Sequence, residues 1–200
     1  MVASVELASA FAERRLILKT IAIGEVWRRM YETRYPDPLG WEPDLSRFSD
    51  PSGTAFGVVY LGESAKVAFI ETVLRDRADG RSKDCVVAMA EIENRSLASI
   101  RPIVPLRLID LTGDGPLRMG IPSDVVGARD QALAQTWSAA FHAHHEQPDG
   151  VFYPSRLNEE RCIALYDRAI GKLEAVDTPR LLDCRDKLAA ILKSLKIAIV

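Results

Sequence analysis

AFGVVYLGESAKVAFIETVLR, residues 55–75, reads as a strand running into a helix. Residues 56–61 are mostly β-branched and aromatic, as strands prefer. Ser64 is a good N-cap, and the helix it opens extends to about Arg75. At about 100° per residue, Val67, Ile70 and Leu74 share one face of that helix. Glu71 falls about 40° from Val67, at the edge of the same face, and Phe69 and Val73 are apolar on the other side. The helix is therefore expected to be buried over much of its circumference, with Glu71 carried inward or to the rim of a pocket. A carboxylate there is costly unless it is paired or used in chemistry. Both readings stand at this point: a buried ion pair with an arginine, or a catalytic or substrate-binding glutamate.

Working outward, residues 34–54, RYPDPLGWEPDLSRFSDPSGT, hold four prolines, two glycines and three aromatics. That is a long loop with its own anchors, the kind more often functional than short connections are. Residues 26–31 read as a strand carrying Arg28 and Arg29. Side chains alternate along a strand, so only one of the two can point to Glu71's side. Residues 4–13 read as a short helix, and the apolar run 16–23 fits either type. Further strands are expected at 85–92, 106–111, 151–153 and 162–165, with a last one at 197–200. Residues 123–145 read as helical, with a break near Gly127, and 180–195 as a closing helix. Strands and helices do not alternate as a doubly wound sheet requires, so the class is α+β in a single domain.

Composition sets limits on function. A net charge of −2 gives no global electrostatic case for nucleic acid or an anionic membrane. The longest apolar stretches fall short of a membrane span, and the N-terminus lacks the order of a signal peptide, since Glu6 and Glu13 interrupt it. Cys85, Cys162 and Cys184 are widely spaced, without CxxC or zinc-ligand spacing, which suits reduced thiols in a cytoplasmic protein. His142, His144 and His145 lie close together, and His142 and His145 stand at i, i+3. No cysteine completes a ligand set, and a helix C-terminus favours histidine by itself, so no metal is expected. No GxGxxG or P-loop follows a strand, and no Gly-x-Ser-x-Gly elbow surrounds Ser155. The C-terminal KLAAILKSLKIAIV reads as a packed closing element.

One glutamate, several arginines, several tyrosines and a serine would suit a ligand that combines phosphates, ribose and a flat base. Their order resembles the RES-domain family, named for an arginine, a glutamate and a serine. The matching text is GEVWRRMY (24–31), SRFSDPSGTAFGVVYLGESAKVAFIETVLRD (46–76) and DGVFYPSR (149–156). The middle block is the most specific, with Arg47-Phe48, then Val59-Tyr60-Leu61, then Ala68 to Thr72 in the pattern Ala-x-x-Glu-Thr. The resemblance covers roughly residues 24–167, flanked by an N-terminal helical extension and a C-terminal closing helix. It places the family's arginine on Arg29, beside Arg28, its glutamate on Glu71 and its serine on Ser155. It implies a fold similar to ADP-ribosyltransferases, with a small split mixed sheet around an NAD cleft and helices at its flanks. It also implies a bacterial toxin that degrades NAD at the nicotinamide–ribose bond, with water or inorganic phosphate as acceptor. The implied partner is an Xre-type antitoxin, in a hetero-oligomer.

The chemistry assigns candidate roles within that resemblance. Nicotinamide is a cationic leaving group, so cleavage passes through an oxocarbenium-like state that a carboxylate stabilises. Glu71 is the candidate. Arg29 and Arg47 would hold pyrophosphate through charge-assisted bonds. Tyr31 and Tyr60 would stack on nicotinamide or shape the pocket wall, and Ser155 would orient ribose or phosphate. Two rival readings use the same pocket: an ADP-ribosyltransferase with a protein acceptor, and a nucleotide- or partner-binding module without turnover.

Overall fold

The computed structural model describes residues 7, 10–41, 45–75, 77 and 85–200. Eight strands form one mixed sheet: β1 (Leu18–Ile21), β2 (Trp27–Glu32), β3 (Val58–Gly62), β5 (Arg95–Pro102), β6 (Leu106–Asp110), β7 (Gly150–Pro154), β8 (Arg161–Tyr166) and β9 (Leu173–Asp177). Their order is β1-β6-β7-β8-β3-β2-β5-β9. Only β6 and β7 run parallel, and the crossover between them carries α3 (Gly115–Met119), α4 (Asp124–Gly127) and α5 (Ala132–Ala143). A second, two-stranded ladder pairs β4 (Cys85–Val87) with β10 (Ile197–Ile199). The class is α+β, as expected, with helices against the sheet.

Period-two alternation sorts the strands into cores. Val151, Tyr153, Cys162, Ala164 and Tyr166 face the cluster that α5 covers with Trp137 and Phe141. Phe152, Ile163, Leu165, Val59 and Leu61 face the opposite cluster, together with Trp27 and Ile100. A third cluster gathers Met30, Phe69, Ile70, Val73 and Leu74 with α6 (Arg185–Leu195), which supplies Leu188 and Ile191. The closing element is thus packed. Among the described residues no helix is long and apolar enough to cross a membrane.

The sheet is split where the cleft lies. β2 and β3 share a single register pair, Arg28↔Gly62, whereas β3 pairs with β8 over five residues and β2 with β5 over six. Beyond that pair the two strands splay, and side chains from both faces can line one opening.

Several expectations are corrected locally. Residues 85–92 are strand only to Val87, and α2 (Met89–Glu93) follows, turning Ile92 into the third core. β5 and β9 were not expected. β5 is buried on both faces, with Ser96 and Ser99 inside, so it shows no alternation to read. β9 is a half-exposed edge strand. Of the helix expected over 4–13, residues 7 and 10–13 are described, and 7 and 10–12 are helical.

Candidate active site

Ser64 caps α1 (Ala65–Phe69) as expected: its Oγ accepts from Val67 N at 3.1 Å. The helix then widens into a π-helical turn, Ile70–Leu74, closed by Arg75 N donating to Ile70 O at 2.8 Å. Such turns recur at functional sites because the extra residue re-aims side chains. Here the turn keeps Ile70, Val73 and Leu74 in the core while Glu71 and Thr72 line a cavity. α1 lies so close to β3 that a Cβ at Gly62 would meet Val67 Cγ1 at 2.4 Å and Ala68 N at 3.0 Å. That packing brings Glu71 to the sheet.

Ser155 ends β7 and is buried. Its Oγ lies 2.5 Å from Glu71 Oε1 and accepts from Leu157 N at 3.2 Å. With the amide as donor to the hydroxyl, the hydroxyl proton goes to the carboxylate. The backbone of the turn fixes this geometry: Ser155 N donates to Glu160 O at 2.7 Å, and Glu159 N to Ser155 O at 2.9 Å. Ser155 therefore stands behind Glu71 and orients it, rather than reaching into the open cavity.

The cavity beside Glu71 has a volume of about 350 Å³ and is lined by Arg28, Arg29, Arg47, Arg75 and Arg156. Five arginines against one carboxylate make it an anion-seeking site. Burial lowers the Arg47 pKa, with Arg156 and Arg75 adding to the effect while Tyr153 and Glu71 oppose it. Tyr153 and Cys162 form part of the wall, and burial pushes both far above their ordinary pKa. Both therefore stay protonated at neutral pH.

The alternation along β2 settles which arginine faces Glu71. Arg28 is the cross-strand neighbour of Gly62, whose missing Cβ points at α1, so Arg28 lies on the helix face. Its Nη1 is buried without a hydrogen-bond partner among the described residues. Arg29 belongs to the other face. Its Nη1 donates to Pro38 O at 2.5 Å and Gly40 O at 2.8 Å, which pins the long loop to the sheet. Burial lowers its pKa, and Asp37 and Tyr31 oppose that. Arg29 meets the cleft where a second lobe of about 420 Å³ opens through the splay of β2 and β3. The two lobes share Arg29, Met30, Ser46 and Tyr60. Tyr31 lines only the second lobe, and Tyr60 lines both.

The loop that roofs the cleft is anchored as its composition suggests. Phe48 is fully buried edge-on to Tyr153, with ring centroids 4.8 Å apart. Its N–H donates to the Tyr60 hydroxyl at 2.9 Å, and its carbonyl accepts from Ser138 Oγ at 2.6 Å. The Asp50 carboxylate accepts from the backbone of Thr54 and Ala55 at 2.7 and 2.6 Å. These bonds fix the loop on either side of Arg47, whose Nη1 donates to Val125 O at 3.4 Å and which lines the same cavity as Glu71.

Residue patterns matched a family model described as "RES domain" over residues 22–185. The chain belongs to the RES domain family. A curated relative, probable toxin y4kH of Sinorhizobium fredii (strain NBRC 101917 / NGR234), is 43% identical over 127 residues. The match spans 64% of this chain and all of that one. The RES fold of this chain is also similar to a chain in the crystal structure of the M. tuberculosis MbcT–MbcA toxin–antitoxin complex. The TM-score is 0.66 at 18% identity, over 92% of this chain and 97% of that one.

Sequence reasoning missed Arg75 and Tyr153 as site residues, though both carry a signal. Arg75 follows Glu71 by one turn, and Tyr153 precedes Ser155 by two on the same strand face. The histidines lie elsewhere. His142 stacks on Phe56 at 4.2 Å between centroids. His144, His145 and Glu146 bring potential ligand atoms within 4.8 Å of one another. His144 already uses both ring nitrogens, Nε2 to Arg14 O at 3.1 Å and Nδ1 from Glu146 N at 3.1 Å. His145 Nδ1 bonds Ala12 O at 2.8 Å, so the group ties the N-terminal segment to the end of α5.

Proposed function

We propose that this chain is an NAD-degrading toxin of a toxin–antitoxin pair, cleaving the nicotinamide–ribose bond and neutralised by a cognate Xre-type antitoxin. The observation that carries the reading is Glu71, hydrogen-bonded by Ser155 from behind, on the wall of an arginine-lined cavity. It supplies one oriented carboxylate for a developing cation, beside several cations for a pyrophosphate. The names of the S. fredii relative and of the mycobacterial complex support the toxin part of the reading.

In this reading NAD lies with its nicotinamide riboside beside Glu71. Ser155 holds Oε1, and the carboxylate accepts a hydrogen bond from a ribose hydroxyl. The C–N bond breaks with its electron pair going to the ring nitrogen, so the leaving nicotinamide becomes neutral. The sugar cation is stabilised by Glu71 until an acceptor adds to the anomeric carbon. Water then gives ADP-ribose and a proton, and inorganic phosphate gives ADP-ribose phosphate. Arg28, Arg47 and their neighbours suit the substrate pyrophosphate and leave cationic surface for a phosphate acceptor. Mass analysis of the products formed from NAD with and without phosphate identifies the acceptor. ADP-ribose attached to protein, with no free product, would replace this reading with the transferase.

A further inference from the structure

The second lobe differs in chemistry from the one that holds Glu71. Trp41, Tyr31 and Tyr35 line it, along with the carboxylates of Glu32 and Asp37 and the guanidinium of Arg95. Trp41 lies flat against Gly57, where a Cβ would come within 2.0 Å of the indole, so one ring face is fixed on backbone. The side chain remains 40% exposed. Arg95 Nη1 stands 3.7 Å from Glu32 Oε1, while its Nε is buried without a hydrogen-bond partner among the described residues. A buried donor of this kind calls for an acceptor. An aromatic platform beside an unmet donor and nearby carboxylates suits a flat heterocycle that has ring-nitrogen acceptors and an amino group.

We propose that this lobe binds the adenosine end of the substrate, an inference that rests on the NAD reading of the first lobe. Connectivity selects the end. The bond that breaks joins nicotinamide directly to the carbon Glu71 must face, so nicotinamide riboside occupies the Glu71 lobe. Glu71 does not line the second lobe. The shared boundary at Arg29, Met30, Ser46 and Tyr60 is where the linking pyrophosphate passes, between Arg28 and Arg47 on one side and the aromatic lobe on the other. The adenine ring stacks on Trp41 with its ring nitrogens toward the Arg95 guanidinium and its amino group toward the carboxylates.

The test separates the two ends of the substrate. Adenosine monophosphate and nicotinamide mononucleotide are titrated separately into the full chain by calorimetry, with Trp41→Ala and Arg95→Met alongside, each checked for fold by circular dichroism. Both variants are expected to weaken adenosine monophosphate about tenfold, the scale of one lost stacking or hydrogen-bonding partner, and to leave nicotinamide mononucleotide within twofold. The KM for NAD rises in parallel while the KM for nicotinamide mononucleotide stays put. Adenosine monophosphate that fails to bind, or binds equally well to both folded variants, overturns the proposal. So does a loss confined to nicotinamide mononucleotide, which would put the other end of the substrate in this lobe. Adenosine monophosphate binding that depends on Trp41 and Arg95, in a protein that does not cleave NAD, leaves the lobe assignment standing and refutes the cleavage.

Discussion

Ser155 and Glu71 act as a unit, and their separate removal has different consequences. Glu71→Gln keeps the shape and removes the charge that the proposed cleavage assigns to stabilising the sugar cation, whereas Ser155→Ala keeps the charge and frees the carboxylate to rotate. The variant Ser155→Ala is expected to lower kcat for nicotinamide release about tenfold or more with KM little changed, since the hydroxyl does not touch substrate. A rise in KM with unchanged kcat would put the serine in contact with the ligand instead. The two adjacent arginines also separate. Arg28→Ala removes a donor from the Glu71 lobe and should raise the KM for NAD about tenfold, with an unfolding midpoint close to wild type. Arg29→Ala strands the Pro38 and Gly40 carbonyls. Its leading effect should be a loss of about 1–2 kcal/mol of stability, read by thermal unfolding as a midpoint lower by about 2–8 °C. Sequence could reduce the choice to one of the pair, because alternation forbids both. It could not choose, because the choice depends on which face of β2 meets α1, and Gly62 decides that across the strands.

At the level of elements, the strand-to-helix unit was the most legible part of the chain. The Ser64 cap and the inward position of Glu71 both follow from local pattern. The π-helical turn does not, because a single inserted hydrogen-bond register leaves no mark on composition, and periodicity at 3.6 residues misplaces side chains beyond it. β5 was invisible for another reason: two serines buried in a central strand look like loop chemistry until the neighbouring strands are known. The C-terminal end of α5 carries a pH dependence of its own. Burial lowers the His142 pKa below its ordinary 6.5, Arg168 adds to this, and Asp167 opposes it. A histidine depressed in the folded state takes up protons more readily when unfolded, so its stability contribution is present above about pH 6.5 and is lost as pH falls below that. Thermal unfolding between pH 7.5 and 5.5 should show a falling midpoint in wild type and a flatter one in His142→Asn. Equal slopes in the two would remove His142 from the acid response.

Taken whole, the molecule is an eight-stranded sheet opened between β2 and β3, with charge chemistry in one lobe and aromatic chemistry in the other. The pieces of the first lobe come from β2, the loop after it, the α1–π unit and the end of β7. Each was visible as a local motif, and the family resemblance set them in order. The second lobe was less visible, because its residues share no motif. Tyr31, expected to stack on nicotinamide or shape the pocket wall, lines the second lobe only, and Arg95 sits on a strand that the sequence concealed. The account turns on one chemical statement, that Glu71 supports cleavage of a nicotinamide–ribose bond. The direct measurement is chromatographic: NAD is incubated with the purified full chain and with Glu71→Ala, and free nicotinamide is followed with time. The account predicts steady release by wild type and a loss of at least about a hundredfold in the variant. Folded wild-type protein, free of any bound partner, that releases no nicotinamide, or release that Glu71→Ala leaves unchanged, would contradict it.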